Sequence, residues 1–260
     1  MKPRVRLFNY EVDPLTMDEA VDQVLAWISS RQRACRFVVT PNVNHTVLLD
    51  RHAGLRGVYR DADLVLVDGM PVLLTARLLR RPVPGRVAGS DLVPRLFEAA
   101  QPRDGIRAYL LGAAPGVAER AAQRIEATWP KTRVVGTNSP PPGFERQPSV
   151  NETIVADINR ASPDVLIVGL GAPKQELWVH AHRQRLAVSV ALCVGATIDF
   201  LAAEKPRAPL WMRRTGLEWM HRVATEPRRL LGRYARDGWA FVWLLGRQVT
   251  APKGEVGLTT

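Results

Sequence analysis

Short apolar runs rich in β-branched residues alternate with longer segments of helical periodicity over the first 204 residues. This alternation is typical of βα units, in which a helix carries the chain back to begin the next parallel strand. The sequence therefore predicts an α/β fold, with a Rossmann-like, mostly parallel sheet flanked by helices. The expected strands are Arg36–Thr40, Leu64–Val67, Arg107–Leu111, Arg133–Gly136, Val165–Gly169 and Val188–Val194. The expected helices are 16–30, 42–49, 71–79, 91–100, 115–128, 149–161 and 173–185.

The composition changes after Glu204. Ten basic and three acidic residues lie between Lys205 and Arg247, which accounts for +7 of the net charge of +11, and the same stretch holds four of the seven tryptophans. Pro206 and Pro209 separate it from the last expected strand. We therefore divide the chain into an α/β core over 1–204, a basic amphipathic helical appendage over 205–250 and a disordered tail over 251–260.

Three interpretations of the appendage remain open. Arg222, Arg229, Arg233 and Arg236 are spaced to share one helical face, despite the break expected at Pro227. The segment is then a core-docked helix with a solvated face, or a basic, tryptophan-bearing helix lying on an anionic membrane surface. Nucleic acid is disfavoured, because aromatic residues interleaved with the cations on a β platform are not evident.

Several classes of protein and site do not fit the sequence. Cys35 and Cys193 are isolated within apolar runs, so we expect reduced core residues of a cytosolic protein. The N-terminus lacks the apolar region of a secretory signal, and the apolar run at 239–245 is too short to span a bilayer. The histidines show no ligand spacing, and Asp61-Ala-Asp63 precedes its strand, so it falls at the sheet edge opposite the expected site. We predict no metal and no cofactor.

Polar residues follow several of the expected strands. Thr40 and Asn42 follow the first, Asp68 the second, Gln175 the fifth and Asp199 the sixth. Ligands of open parallel sheets bind at the carboxyl ends of the strands, so these side chains define a candidate site.

Two glycine-containing loops at the same edge lead into helices. The loops 112–116 and 171–176, the second with Gly171 and Lys174, either bind phosphate at a helix N-terminus or are plain structural turns. Gly169-x-Gly171 lacks the third glycine of a dinucleotide fingerprint, and the first loop lacks the Lys-Ser/Thr of a Walker loop. Neither nucleotide motif is complete.

Asp68 is the most informative carboxylate. It ends an apolar strand before Gly69, where partly apolar surroundings raise a carboxyl pKa and suit a general base. Alternatively, Asp68 caps the helix that begins near Pro71. Arg86 is likewise either a surface residue or partner of Asp91, or a phosphate ligand.

The ordered set of motifs resembles the WecG/TagA/CpsF glycosyltransferases, glycosyltransferase family 26, from about residue 5 to 247. The matching segments are Thr40-Pro41-Asn42, Ala62–Gly69, Arg86–Asp91, Gly169–Glu176, Gly195–Phe200, Arg207-Ala-Pro, Gly216–Trp219 and Glu226-Pro227-Arg-Arg. One departure is Ala203, where the family pattern has glycine.

The resemblance implies an enzyme at the cytoplasmic membrane face. Such enzymes carry out inverting, metal-independent transfer of a hexose-type sugar (ManNAc, ManNAcA, GlcA or Glc) from a UDP-sugar to a glycan on a polyprenyl diphosphate. Their products include teichoic-acid linkage units, enterobacterial common antigen and exopolysaccharides. The core over 1–204 is then catalytic, the appendage associates with an anionic membrane surface, no nucleic acid is expected, and a homo-oligomer remains open.

The resemblance also assigns roles to residues. It places the base at Asp68, beside Thr40 and Asn42. It places in the nucleotide-sugar pocket the residues Arg86, Gln175 and Asp199, with Gly171 and Lys174 of the loop. It places at the acceptor diphosphate and membrane the residues Arg222 and Arg229, with Arg233 of the same face.

Two other classes remain as alternatives. A nucleotide-binding oxidoreductase on a similar sheet would need the missing glycine fingerprint and an acidic residue about 20 positions further on. A non-catalytic membrane or nucleic-acid adaptor would use the basic segment alone.

Overall fold

A six-stranded parallel sheet forms the centre of the protein. The computed structural model describes residues 2–30 and 33–250, without the side chains of Leu210, Arg214 and Arg229. The strands are β1 (Val5–Leu7), β2 (Tyr10–Val12), β3 (Arg36–Val39), β4 (Leu64–Val65), β5 (Ile106–Gly112), β6 (Thr132–Asn138), β7 (Val165–Gly169) and β8 (Val190–Cys193). The large sheet has the order β4-β3-β8-β7-β5-β6, with every neighbouring pair parallel. β1 and β2 form a separate antiparallel hairpin.

Helices connect the strands and continue to Thr250, the last residue that the structure describes. They are α1 (Met17–Ser29), α2 (Val43–Arg51), α3 (Ala53–Asp61), α4 (Met70–Leu78), α5 (Gly89–Ala100), α6 (Val117–Thr128), α7 (Pro148–Ala161), α8 (Lys174–His182), α9 (Thr197–Leu201), α10 (Leu210–Thr215), α11 (Glu218–Thr225) and α12 (Pro227–Thr250), with a 3₁₀ turn at Phe144–Arg146. Thr16 and Glu19 form a reciprocal capping box that begins α1. The break expected at Pro227 separates α11 from α12.

The sheet is covered on both faces, which confirms the predicted fold class. Successive strand residues enter different apolar clusters: Phe37 and Val39 lie in one and Val38 in the other. This follows from the pleat, which directs neighbouring side chains to opposite faces. A strand that is buried on both faces needs apolar residues at nearly every position, and the strands of this sequence have them.

The basic segment packs against the core. Phe241 and Leu244 of α12 are buried in one of the two apolar clusters, and the rings of Phe241 and Phe8 lie 5.4 Å apart. Asn44 of α2 donates a hydrogen bond of 2.9 Å to the Asp237 carboxylate. Among the described residues, no helix is both long and apolar enough to cross a membrane. The disordered tail predicted over 251–260 lies outside the described residues.

Some elements differ from the sequence-based expectations. The hairpin β1–β2 and helix α3 were not expected, because three-residue strands and a helix containing Gly54 and Gly57 give weak patterns. Ala203 has φ 55°, a left-handed conformation that favours glycine. The one departure from the family pattern therefore falls where the backbone would prefer the family's residue.

Candidate active site

A cavity of about 740 Å³ opens at the carboxyl ends of β3, β4 and β8. The core and the basic C-terminal segment both line it. From the core come Thr40, Asn42, His45, Asp68, Gly69, Arg86, Ser90 and Gln175, and from the C-terminal segment come Glu218, Trp219, Arg222, Arg233, Tyr234, Asp237 and Trp239. The cavity thus brings together Thr40, Asn42, Asp68 and Gln175, which follow separate strands, and helices α11 and α12 form the remaining wall.

Backbone contacts hold Asp68 at the core side of the cavity. Its N–H donates to the Pro41 carbonyl at 3.0 Å. A Cβ on Gly69 would lie 3.1 Å from Asn42 Cα, so glycine permits the close approach of the two loops. The N-cap of α4 is Gly69, and no side-chain hydrogen bond caps this helix, so the alternative role of Asp68 as the cap is wrong.

The surroundings of Asp68 suit a base. Its carboxylate is 26% exposed and so remains reachable from the cavity. Burial raises the pKa of Asp68 to about 6; the Arg86 charge opposes this rise, and the negative charges of Glu218 and Asp91 add to it. A carboxyl with this pKa is largely ionised at neutral pH yet more basic than an ordinary aspartate.

Arg86 joins three carboxylates at the cavity. Its Nη1 lies 3.3 Å from Glu218 Oε2 and 3.7 Å from Asp68 Oδ1, and its Nη2 lies 3.4 Å from Asp91 Oδ2. Arg86 therefore partners Asp91, as one sequence interpretation held, and also lines the cavity. Glu218 comes from α11, 132 residues further on, and no local pattern predicted its presence here.

A second ion cluster fixes the C-terminal segment to the core. Asp91 Oδ1 contacts Arg207 Nη2 at 2.6 Å and Arg213 Nη1 at 3.1 Å. Arg207 also donates to the Ser90 hydroxyl at 2.9 Å. Because Ser90 and Asp91 lie in the first turn of α5, these contacts connect the chain around α10 to the edge of the cavity.

Thr40 and Asn42 use their side chains partly for structure. The Thr40 hydroxyl donates to the Cys193 carbonyl at 3.3 Å and so joins β3 to β8. Asn42 Oδ1 accepts from the Asn44 N–H at 3.1 Å and caps α2. Both residues line the cavity, but these hydrogen bonds of their side chains join backbone groups and so hold the surrounding loops in place.

A buried polar network lies beneath this wall. His45 Nε2 is 3.2 Å from Glu176 Oε1, and Gln175 Nε2 donates to the same oxygen at 2.8 Å. Gln175 Oε1 accepts from the Gly195 N–H at 3.1 Å, which fixes the loop after β8. The network includes His45 and Glu176, which sequence reasoning missed because their partners are 131 residues apart.

Three expected nucleotide-sugar residues do not line the cavity. Lys174 Nζ pairs with Glu145 at 3.3 Å, and Asp199 Oδ1 lies 3.8 Å from Lys205 Nζ. Gly171 has φ 78° and provides the left-handed turn before α8.

Two arginines of the C-terminal segment, Arg222 and Arg233, line the cavity. The Arg222 guanidinium lies 5.8 Å from the Phe200 ring centre, and that of Arg233 lies 5.5 Å from the Tyr234 ring centre. Neither forms an ion pair with a carboxylate of the described residues. The side chain of Arg229, the third residue expected here, lies outside the described residues.

Residues 61–63 have a structural role. Asp61 pairs with His180 at 2.8 Å, and the Asp63 carboxylate accepts from the Phe37 N–H at 2.9 Å. This confirms that the two aspartates belong to turn and helix-end chemistry away from the site. In the part of the chain that the structure describes, no three His, Cys, Asp or Glu side chains are grouped to hold a metal ion.

An α/β sheet with a carboxylate base candidate and arginines at its carboxyl edge has the features of a group-transfer enzyme that handles an anionic substrate. The model of the glycosyl transferase WecG/TagA/CpsF family matches residues 5–255, so the chain belongs to this family of glycosyltransferases. A Bacillus spizizenii N-acetylglucosaminyldiphosphoundecaprenol N-acetyl-beta-D-mannosaminyltransferase is 30% identical over 194 residues, covering 74% of this chain and 72% of the relative. A Staphylococcus aureus protein of the same name is 25% identical over 227 residues, covering 87% of each chain.

Proposed function

We propose that this glycosyltransferase moves a hexose-type sugar, with N-acetylmannosamine the first candidate, from a UDP-sugar to N-acetylglucosamine carried on a polyprenyl diphosphate. The names of the two relatives support the sugar and the acceptor. The observation that carries the proposal is the cavity itself, because it combines a carboxyl of raised pKa with arginines of both the core and the C-terminal segment.

Asp68 acts as the general base in this proposal. The relatives form a β-linked product, and transfer from an α-linked nucleotide sugar then inverts the anomeric centre. Inversion by one displacement needs a base that removes the proton from the acceptor hydroxyl as it attacks opposite the leaving group. The O–H bond breaks toward Asp68, the new C–O bond forms, and the bond to the UDP oxygen breaks with its electron pair.

Arginines stabilise the departing diphosphate. Arg86 carries charge at the core side of the cavity, and Arg222 and Arg233 carry it at the side of the C-terminal segment. Fixed positive groups aimed at developing negative charge lower the barrier, and more strongly where the site is shielded from water. The arginines thus supply the charge stabilisation that other glycosyltransferases obtain from a bound metal ion, and Arg229 belongs to the same proposed set.

The acceptor places the enzyme at a membrane in this proposal. A polyprenyl diphosphate is anchored in a bilayer, so the cavity has to face the membrane surface. The C-terminal segment exposes Trp211, Trp219, Trp239 and Trp243 beside its arginines, which favours peripheral binding to anionic lipid.

A screen for UDP release tests the proposed function. The purified chain is assayed with UDP-ManNAc, UDP-ManNAcA, UDP-GlcA and UDP-Glc, with and without a polyprenyl-diphosphate-linked N-acetylglucosamine acceptor. We expect acceptor-dependent UDP release with UDP-ManNAc and a β-anomeric product by NMR. An α-anomeric product, or no acceptor-dependent release with any of the four donors, would contradict the proposal.

The oxidoreductase and adaptor alternatives have less support. Gly112 and Gly169 are explained by packing, because a Cβ on Gly112 would lie 2.6 Å from the Gly169 carbonyl. The family assignment and the cavity favour a transferase. Thermal-shift comparison of UDP with NAD separates the nucleotide classes, since a ligand that binds the folded state raises its stability.

A further inference from the structure

Helix α4 presents an apolar, basic face to solvent outside the C-terminal segment. Among the described residues, ten large hydrophobic side chains are exposed, and eight of them lie in the C-terminal segment. The other two are Leu74 and Leu78, which are 53% and 63% exposed. Because they are four residues apart on α4, they lie on the same side of the helix.

The charged residues of the segment that carries this face are all positive. Residues 69–90 contain four arginines and no acidic residue. Arg77 lies between the two leucines in sequence and Arg80 follows them. Both are exposed, and neither forms an ion pair with the described residues. An exposed apolar stripe with unpaired cations fits a surface that is apolar and anionic together, which is a bilayer with anionic headgroups.

The face begins at the mouth of the cavity. Met70 and Pro71, in the first turn of α4, line the cavity, and Leu74 and Leu78 continue the Met70 side of the helix away from it. The turn at Gly216, between α10 and α11, packs directly on Met70, since a Cβ there would lie 2.5 Å from Met70 Cγ. The α4 face therefore adjoins the turn between α10 and α11, and the exposed Trp219 lies three residues after Gly216 in that turn.

We propose that α4 is a second membrane-binding element, which lies on anionic lipid and sets the cavity mouth toward the bilayer. This inference rests on the proposed lipid-linked acceptor. Leu74 and Leu78 enter the boundary between headgroups and acyl chains, while Arg77 and Arg80 contact lipid phosphates. With the C-terminal segment, α4 gives attachment on two sides of the cavity and so fixes the orientation of the enzyme.

Vesicle flotation of the full chain tests this proposal. We compare wild type with Leu74→Asn/Leu78→Asn and with Arg77→Gln/Arg80→Gln, on phosphatidylglycerol-containing and on pure phosphatidylcholine vesicles. We expect the leucine pair to lower the partition coefficient on the anionic vesicles at least tenfold. The arginine pair should lower it about 25-fold there, since each cation near the surface contributes about fivefold. The matched control is Arg103→Gln/Arg133→Gln, which removes two exposed arginines near the opposite edge of the sheet.

A labelling experiment gives a direct readout of insertion. Cys35 and Cys193 are buried, so Leu78→Cys can be labelled selectively with a polarity-sensitive dye. We expect a blue shift on anionic vesicles and quenching by brominated acyl chains. Unchanged flotation of both α4 variants, or an unquenched dye, would overturn the proposal. Dimer formation that depends on Leu74 and Leu78, measured by light scattering, would also overturn it, because a second chain would then cover the face.

Activity with a water-soluble, short-chain acceptor separates this inference from the proposed function. The α4 variants should retain wild-type turnover with that acceptor and lose turnover with vesicle-bound acceptor. If no variant and no wild-type protein transfers sugar, the proposed function fails, while the flotation result still decides on α4.

Discussion

Glu218→Gln should shift the acid limb of the pH–rate profile toward lower pH. Glu218 and Asp68 share Arg86 Nη1, at 3.3 and 3.7 Å, and the negative charge of Glu218 contributes to the raised pKa of Asp68. Removing that charge stabilises ionised Asp68. The base then loses its proton at lower pH, and activity extends further into the acid range.

The two contact distances bound the size of the shift. The carboxylate oxygens lie at most about 7 Å apart, since both contact the same nitrogen. Two unit charges at that distance interact by about 2.4 kcal/mol at an effective dielectric constant of 20, and by about 0.6 kcal/mol in water. These energies correspond to about 1.7 and about 0.4 pH units. Both carboxylates are partly exposed, so we expect a shift nearer the lower limit, about 0.5 to 1 pH unit.

The assay is kcat/KM for UDP release between pH 4.5 and 8 at constant ionic strength. Wild type should lose activity with an apparent pKa of about 6, and Glu218→Gln with one between about 5 and 5.5. Arg86→Gln supplies the opposite sign, because the loss of its positive charge raises the Asp68 pKa. An acid limb that stays in place in both variants would refute the electrostatic coupling of these residues.

Four further predictions concern stability and metal dependence. Asp68→Asn should stabilise the fold by about 1–3 kcal/mol at pH 7.5 and not at pH 3.5, because the raised pKa makes the folded state lose stability as pH rises from about 4 to 6. Thermal unfolding at both pH values measures this, and an equal gain at both would contradict it. His45→Ala should cost about 1–3 kcal/mol in urea unfolding, because it removes one hydrogen-bond partner of the fully buried Glu176; an unchanged free energy of unfolding would argue against this buried hydrogen bond. Ala203→Gly should raise stability by about 0.5–1 kcal/mol by relieving a left-handed backbone, whereas Ala202→Gly, at φ −71°, should lower it; the same sign for both would be evidence against strain at Ala203. EDTA should leave turnover unchanged, since the arginines are proposed to carry the diphosphate charge, and a loss restored by Mg²⁺ would contradict this.

The sequence predicted the sheet well because its signals are local. Short apolar runs, such as those at 64–67 and 165–168, mark the main strands, and Thr16 and Glu19 mark the start of α1 within four positions. The hairpin β1–β2 is held instead by packing of Tyr10 and Phe8 against distant rings, which no local pattern reports. Helix α3 follows α2 after His52 alone, so the two helices gave no separate boundary signal.

The residues of the candidate site also differ in whether a local sequence pattern predicts them. Asp68, Asn42 and Gln175 were predictable, since each follows a strand and parallel strands end at one edge of the sheet. Glu218 and His45 reach the site through contacts that span more than 130 residues, so their roles depend on the tertiary fold. Lys174 and Asp199 also follow strands of the sheet, but their side chains contact Glu145 and Lys205 and do not line the cavity. The position of a residue after a strand predicts where it lies in the fold and not which partner its side chain contacts.

Hydrophobic periodicity alone could not show whether the C-terminal segment packs on the core. Its sequence allowed a docked helix, a membrane-bound helix or a nucleic-acid surface. In the structure, one side of α12 buries Leu230, Phe241 and Leu244, while Trp239 on the other side is 80% exposed. The first two interpretations are therefore compatible with each other, because one face packs on the core and the other is available to lipid.

Turnover of Asp68→Asn with the donor bound tests the central claim most directly. Substrate-saturating rates of UDP release are compared with wild type, and calorimetry measures UDP affinity for both proteins. We predict a fall in kcat of about 10² to 10⁴ fold with UDP affinity unchanged, because only proton removal from the acceptor is lost. Turnover within a few fold of wild type would show that another group takes the proton and would contradict this account.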